Sequence, residues 1–231
     1  MKKLSRLALP ALLLALHAGG LWAQASCSSD GQPQPTALLE RFINADCESC
    51  WSDAATVRPG SGELALDWIV PGKRGDDAPL SAAATRDALA RLEALRRPPP
   101  PRSGSLRQKV QGPVRQLRVA HGLPLGGYIG ASIELQPAGD APWKAWLLLV
   151  ETVPAGSEGT PVARNLVRNA LQPAWDAKKV LSREEQVRLL ESRPMNIPEG
   201  SNAARLRVVG WVEDARGRIV AAAQSVCRAE R

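Results

Sequence analysis

Four consecutive prolines at positions 98–101 constrain this chain more than any other feature. Proline fixes φ and has no N–H, so neither a helix interior nor a central strand can run through such a stretch. RRPPPPR (96–102) therefore reads as an extended polyproline linker. The two sides of it differ in character. Upstream, ALLERFINA (37–45) reads as a strand, with Leu39, Phe42 and Ile43 set between polar residues. WSDAATVR (51–58) suits a short helix that Pro59-Gly60 ends. ELALDWIVP (63–71) alternates Leu64, Leu66, Trp68 and Val70 on one face of a second strand. SAAATRDALARLEALRR (81–97) is helical, with Asp77 as its cap and Pro79 in its first turn. Its stripe of Ala84, Ala88, Leu92 and Leu95 is expected to pack on the chain's own sheet.

Downstream, strand-like segments at 114–123, 127–137 and 143–153 are separated by short turns. Ser182-Arg183-Glu184-Glu185 has the form of a capping box that opens a helix through Glu191. Residues 205–227 read as a hairpin that turns at 214–217. Many strands with short turns predict a β-sandwich. At 231 residues the chain suits one large domain or two small ones, and a hydrophobic fraction of 44% permits a core.

The N-terminus reads as a targeting segment. MKKLSR is basic, LALPALLLALHAGGLW is apolar but interrupted by Pro10, and Ala23-Gln24-Ala25 is a small-x-small cleavage site. Residues 1–25 are thus expected to be a secretory signal peptide cut after Ala25, placing the protein in the periplasm or outside the cell. Gln24, three before Cys27, is polar where a lipobox needs an aliphatic residue, so anchoring at Cys27 is not expected. No later stretch is long and apolar enough for a transmembrane segment. The signal removes Lys2, Lys3 and Arg6, three of the seven net positive charges. The remaining basic residues lie scattered among acids, which excludes a nucleic-acid partner.

All four cysteines, Cys27, Cys47, Cys50 and Cys227, lie beyond the signal and in an oxidising compartment. Four cysteines allow three connectivities. Spacing favours Cys47 with Cys50, and then Cys27 with Cys227 as a structural disulfide clasping the two ends of the mature chain.

CESC (47–50) carries the chemistry. A C-x-x-C between a strand and a helix can exchange disulfides. Cys47, over the helix start, would attack as thiolate, and Cys50 would resolve the mixed disulfide. Asp46 and Glu48 flank Cys47 and oppose a thiolate, so the pair is either reducing or a closed structural disulfide. A zinc site needs two further ligands. The one histidine beyond the signal, His121, is remote in sequence and is expected on the surface or as a satisfied core residue. Trp51 stands where haem attachment needs histidine, and GGYIGAS lacks phosphate-loop spacing. No cofactor and no metal are expected.

ALLERFINADCESCWSDAATV resembles a bacterial family of secreted thioredoxin-like proteins of unknown function, in which a strand leads into C-x-x-C and then a helix. ELALDWIVP is similar to that family's second strand. WLLLVETVPAGSEGTPVARNLVRNALQPAW is similar to its C-terminal sandwich, a layout shared with the outer-membrane-protein-28-like group. The resemblance implies an α+β fold, a thioredoxin-like α/β layer followed by a β-sandwich-like domain, with Cys47 and Cys50 as the active pair. It also implies a proline facing the cysteines, normally cis. Pro113 is the first candidate for that catalytic position and Pro124 the second.

With Pro113 in that role the divisions are a polar leader at 26–35, a thioredoxin-like domain at 36–122 that includes the 96–102 segment, and a sandwich at 123–231. The expected activity is thiol–disulfide exchange with periplasmic protein thiols or disulfides. The alternative is a non-enzymatic envelope protein stapled by both disulfides. One histidine beyond the signal and no G-x-S-x-G elbow exclude a serine hydrolase.

Overall fold

The computed structural model describes residues 27–111, 116–139, 142–175 and 188–227. In chain order the elements are β1 (Cys27–Ser28), β2 (Ala37–Asn44), α1 (Glu48–Trp51), β3 (Glu63–Val70), α2 (Arg86–Ala94), β4 (Ser103–Lys109), β5 (Gln116–His121), β6 (Tyr128–Gln136), β7 (Lys144–Val153), β8 (Arg164–Leu171), β9 (Leu189–Asn196), β10 (Leu206–Glu213) and β11 (Ile219–Gln224). They build two sheets. One has the order β1-β5-β6-β9, and the other has the order β11-β10-β7-β8-β3-β2-β4.

The four-stranded sheet is antiparallel throughout. The seven-stranded sheet is mixed, with β2, β3 and β8 parallel to one another and its other pairings antiparallel. Alternation along each strand sorts side chains to opposite faces. On one face Leu147 and Leu149 of β7 and Val208 and Val212 of β10 meet Val119 of β5 and Ile133 of β6, forming the core between the sheets. On the other face Trp68, Trp146 and Trp211 lie under α2, which contributes Ala88 and Leu92. β2 and β3 are buried on both faces, and the charges they bury, Glu40, Arg41 and Asp67, are paired.

The architecture is β-sandwich-like, and this corrects the expected thioredoxin-like α/β layer. That layer needs helices long enough to cover both faces of a parallel sheet. Among the described residues there are two α-helices, of four and nine residues. The parallel pair β2/β3 is real, but its neighbours are β4 on one side and β8 on the other. β8 comes from far along the chain: Asp67 pairs with Leu166. Strands from either side of residue 122 thus share one sheet.

Smaller differences follow, the first two from local hydrogen bonding. The helix expected at 51–58 instead ends at Trp51, because Asp53 accepts from the Ala55 N–H at 2.8 Å and turns the chain. α2 is capped by Thr85, whose hydroxyl accepts from the Ala88 N–H at 3.3 Å, while Asp77 lies in an earlier 3₁₀ turn. The proline run leads straight into β4, which pairs with the free edge of β2 and was not anticipated because SGSLRQK shows little apolar alternation. The capping box at 182–185 lies outside the described residues, and 189–191, expected to end its helix, belong to β9.

Candidate functional site

β2 delivers the C-x-x-C. At its end the Asn44 side chain accepts from the Asp46 N–H at 2.9 Å, and the Asn44 carbonyl accepts from the Cys47 N–H at 2.9 Å. This turn places Cys47 at the N-cap of α1 and Cys50 within it. The two are joined as a disulfide. Each residue is 7% exposed, and the pair packs with Ile43, Ala45, Ile69, Ala78 and Leu166. Cys47, expected to be the attacking thiolate, is buried to the same degree as Cys50.

The groups around the pair serve other partners. The Asp46 carboxylate accepts from the N–H groups of Lys73 and Arg74, at 2.8 and 3.3 Å. Arg102 donates to the Ser49 hydroxyl at 3.1 Å, and that hydroxyl lies 3.6 Å from the Cys47 sulfur. Beneath α1, Asp67 sits between two guanidinium groups, with Arg41 at 2.5 Å and Arg164 at 3.1 Å, all buried. Arg164 also donates to the Trp51 carbonyl at 2.8 Å and lies over the Trp51 ring. Burial, together with repulsion from Arg41, holds the Arg164 pKa below its ordinary value against the attraction of Asp67. Trp51 therefore packs on a buried cation, and its N–H donates to the Glu158 carbonyl at 2.7 Å. A pocket of about 240 Å³ opens beside Arg41, Asp53, Thr56 and Ser105, with Cys50 in its wall.

Pro113 lies outside the described residues. Pro124 sits in the β5–β6 loop, and the cis peptide among the described residues is Gln136–Pro137, at the end of β6. β6 belongs to the four-stranded sheet, whereas the C-x-x-C is carried by β2 of the other.

The second disulfide joins Cys27 to Cys227, as spacing favoured. Cys27 pairs directly with His121 across β1 and β5, and Ser28 bridges to Val226. His121 is buried, which holds its pKa below the ordinary value against the Gly122 carbonyl that its Nδ1 meets at 2.9 Å. It is not a satisfied core histidine, because its Nε2 is buried without a hydrogen-bond partner among the described residues.

Sequence reading missed a charged cluster on the opposite face of the seven-stranded sheet. Arg91 of α2 forms a paired contact with Glu40, at 2.8 Å to each oxygen, and a bond to Glu213 at 2.6 Å. Its guanidinium lies over the Trp146 and Trp211 rings. Burial opposes its charge, but the two carboxylates prevail and raise its pKa. The available signal was charge inside a strand otherwise rich in apolar residues, Glu40 and Arg41 in ALLERFIN and Asp67 in ELALDWIV. Such charges survive burial only when paired.

Large apolar side chains are exposed together at the β5–β6 turn, where Leu123, Leu125 and Tyr128 are 57%, 84% and 53% accessible. Leu125 and Tyr128 exchange backbone hydrogen bonds, so the turn is ordered. No protein-family model, curated protein or solved structure matches the chain.

Proposed function

We propose that this chain is a non-enzymatic binding or structural protein of the cell envelope, exported by its N-terminal segment, in which Cys47–Cys50 is a staple. The observation that carries this reading is the packing of that pair. Both cysteines are 7% exposed in an apolar cluster, and the carbonyl after them is tied to buried Arg164. An exchange catalyst needs one sulfur open to a partner's disulfide and a cation that favours its thiolate. Three cations around the pair are engaged: Arg164 and Arg41 by Asp67, and Arg102 by Ser49. Partner contact is assigned to the ordered apolar turn of Leu123, Leu125 and Tyr128, where open hydrophobic area can drive association.

The test is the reduction potential of Cys47–Cys50 in protein purified from cells expressing the full chain, with Cys27→Ala and Cys227→Ala. Equilibration in graded glutathione buffers followed by thiol trapping reads it directly. The expected value is below about −300 mV with slow exchange, as for structural disulfides. A value above roughly −270 mV with rapid exchange restores the thiol–disulfide reading.

A further inference from the structure

We infer that the two ends of this chain can be joined by zinc as well as by a disulfide. Cys27, Cys227 and His121 form a three-ligand metal site when the clasp is in its dithiol form. The inference concerns the clasp alone and stands whether or not Cys47–Cys50 exchanges.

Three observations carry it. The two sulfurs and a His121 ring nitrogen lie within 4.8 Å of one another. His121 is 5% exposed, and its Nε2 is buried with no hydrogen-bond partner among the described residues. Nδ1 meets the Gly122 carbonyl at 2.9 Å. A carbonyl oxygen only accepts, so Nδ1 carries the hydrogen and the Nε2 lone pair is left free. A backbone carbonyl on the far ring nitrogen is the usual support of a zinc-binding histidine, because it fixes both tautomer and ring orientation. An unpaired buried nitrogen is unfavourable, and a metal ion would satisfy it.

The backbone already holds the ligands in place. Cys27 and His121 are directly opposite on paired strands, and the Ser28–Val226 bridge brings Cys227 alongside. Zinc distances of about 2.3 Å to sulfur and 2.0–2.1 Å to nitrogen set ligand atoms roughly 3.5–3.8 Å apart. Cys27 is buried whereas Cys227 is exposed, so the fourth position of a tetrahedral ion falls on the open side and takes water.

Cys227, the exposed partner, is also the point of entry for reduction. A small dithiol attacks the Cys227 sulfur, the S–S bond breaks, and the Cys27 sulfur leaves with the electron pair. The reagent's second thiol then displaces Cys227 and closes the reagent into a cyclic disulfide. Two electrons and two protons have passed to the cysteine pair. Zinc binding releases those two protons and forms two Zn–S bonds and one Zn–N bond.

The test uses protein purified from cells expressing the full chain, reduced with dithiothreitol, freed of reagent without air and titrated with Co²⁺ as a coloured stand-in for zinc. The expected result is the visible bands of tetrahedral cobalt with a thiolate charge-transfer band. Both should be abolished by added Zn²⁺ and absent from oxidised protein. His121→Ala and Cys227→Ser are each expected to weaken cobalt binding by roughly 100-fold or more, beyond what loss of a supporting group alone does. Cys227 is exposed, so its variant keeps the test decisive if His121→Ala does not fold. Absence of tetrahedral bands in the reduced protein overturns the proposal. So does binding that survives both variants, or that is lost only with Cys47→Ser and Cys50→Ser, which places the ion at the other cysteine pair.

Discussion

Arg91 illustrates how a buried charge is kept. Its guanidinium is fully enclosed, and its charge is balanced by Glu40 and Glu213 and covered by the Trp146 and Trp211 rings. A buried ion pair contributes little net stability, but removing one member leaves an uncompensated charge. Arg91→Met, close in length, should therefore destabilise the fold by roughly 3–5 kcal/mol in urea unfolding, because two carboxylates lose their cation. A loss below about 1 kcal/mol would show that Glu40 and Glu213 reach water or take up protons at little penalty.

Asp87 offers a pH test at the same scale. It accepts from the Ala170 N–H at 2.9 Å, and burial raises its pKa above the ordinary value. A raised carboxyl pKa means that the folded state holds its proton more tightly than the unfolded chain. The contribution is present in full below the unfolded pKa, near 4, and is lost as pH rises through the folded value. Asp87→Asn removes this loss. Its stability relative to the unsubstituted protein should rise as pH increases from that point and level off once the pH has passed the folded value. Urea unfolding of both proteins across this range checks it, and a difference independent of pH contradicts it.

At the scale of elements, the approach of the two sheets is set by Gly210 in β10. A Cβ placed there would lie 2.7 Å from the Val119 side chain and 2.9 Å from that of Ile133, with the Trp146 carbonyl at 3.3 Å. Both side chains belong to the facing sheet. Gly210→Ala should cost about 1–3 kcal/mol by overpacking, although alanine is the better residue in an open strand. Thermal unfolding measures the loss, and a Tm equal to that of the parent would mean that Val119 and Ile133 move aside freely. The elements most legible in the sequence were the apolar-rich segments bounded by turn signals: β2, β3, β5, β6, β7 and the β10–β11 hairpin all fall where the pattern placed them. β4 was invisible because its pairing is supplied by β2 and not by its own side chains. β9 was obscured by a capping pattern just upstream, since a local helix signal says nothing about a free edge on β6 that can recruit the chain.

At the scale of the whole molecule, the Cys27–Cys227 disulfide closes the chain over a separation of 200 residues. In the chain-entropy picture that closure is worth about 5 kcal/mol, against about 2 kcal/mol for the short loop of Cys47–Cys50. Cys27→Ser with Cys227→Ser should therefore lower stability by several kcal/mol, more than Cys47→Ser with Cys50→Ser. Urea titration of the two double variants gives the comparison. A reversed order would mean that packing around the buried Cys47–Cys50 pair outweighs loop closure.

What the sequence determined by itself was local: where segments with an apolar pattern extend, and where their apolar faces lie. These follow from alternation and spacing, which act between near neighbours. β2, the C-x-x-C that follows it and the strand β3 are such local pieces. Tertiary structure decided the rest. It put β8 beside β3 and gathered Asp67, Arg41 and Arg164 beneath the cysteines. It brought Arg91 to Glu40 and Glu213, and it set His121 against the terminal disulfide. Each is a meeting of residues far apart in the chain. Such meetings depend on which sheet edges and faces remain to be covered once the local elements have formed, and no short window of sequence carries that information.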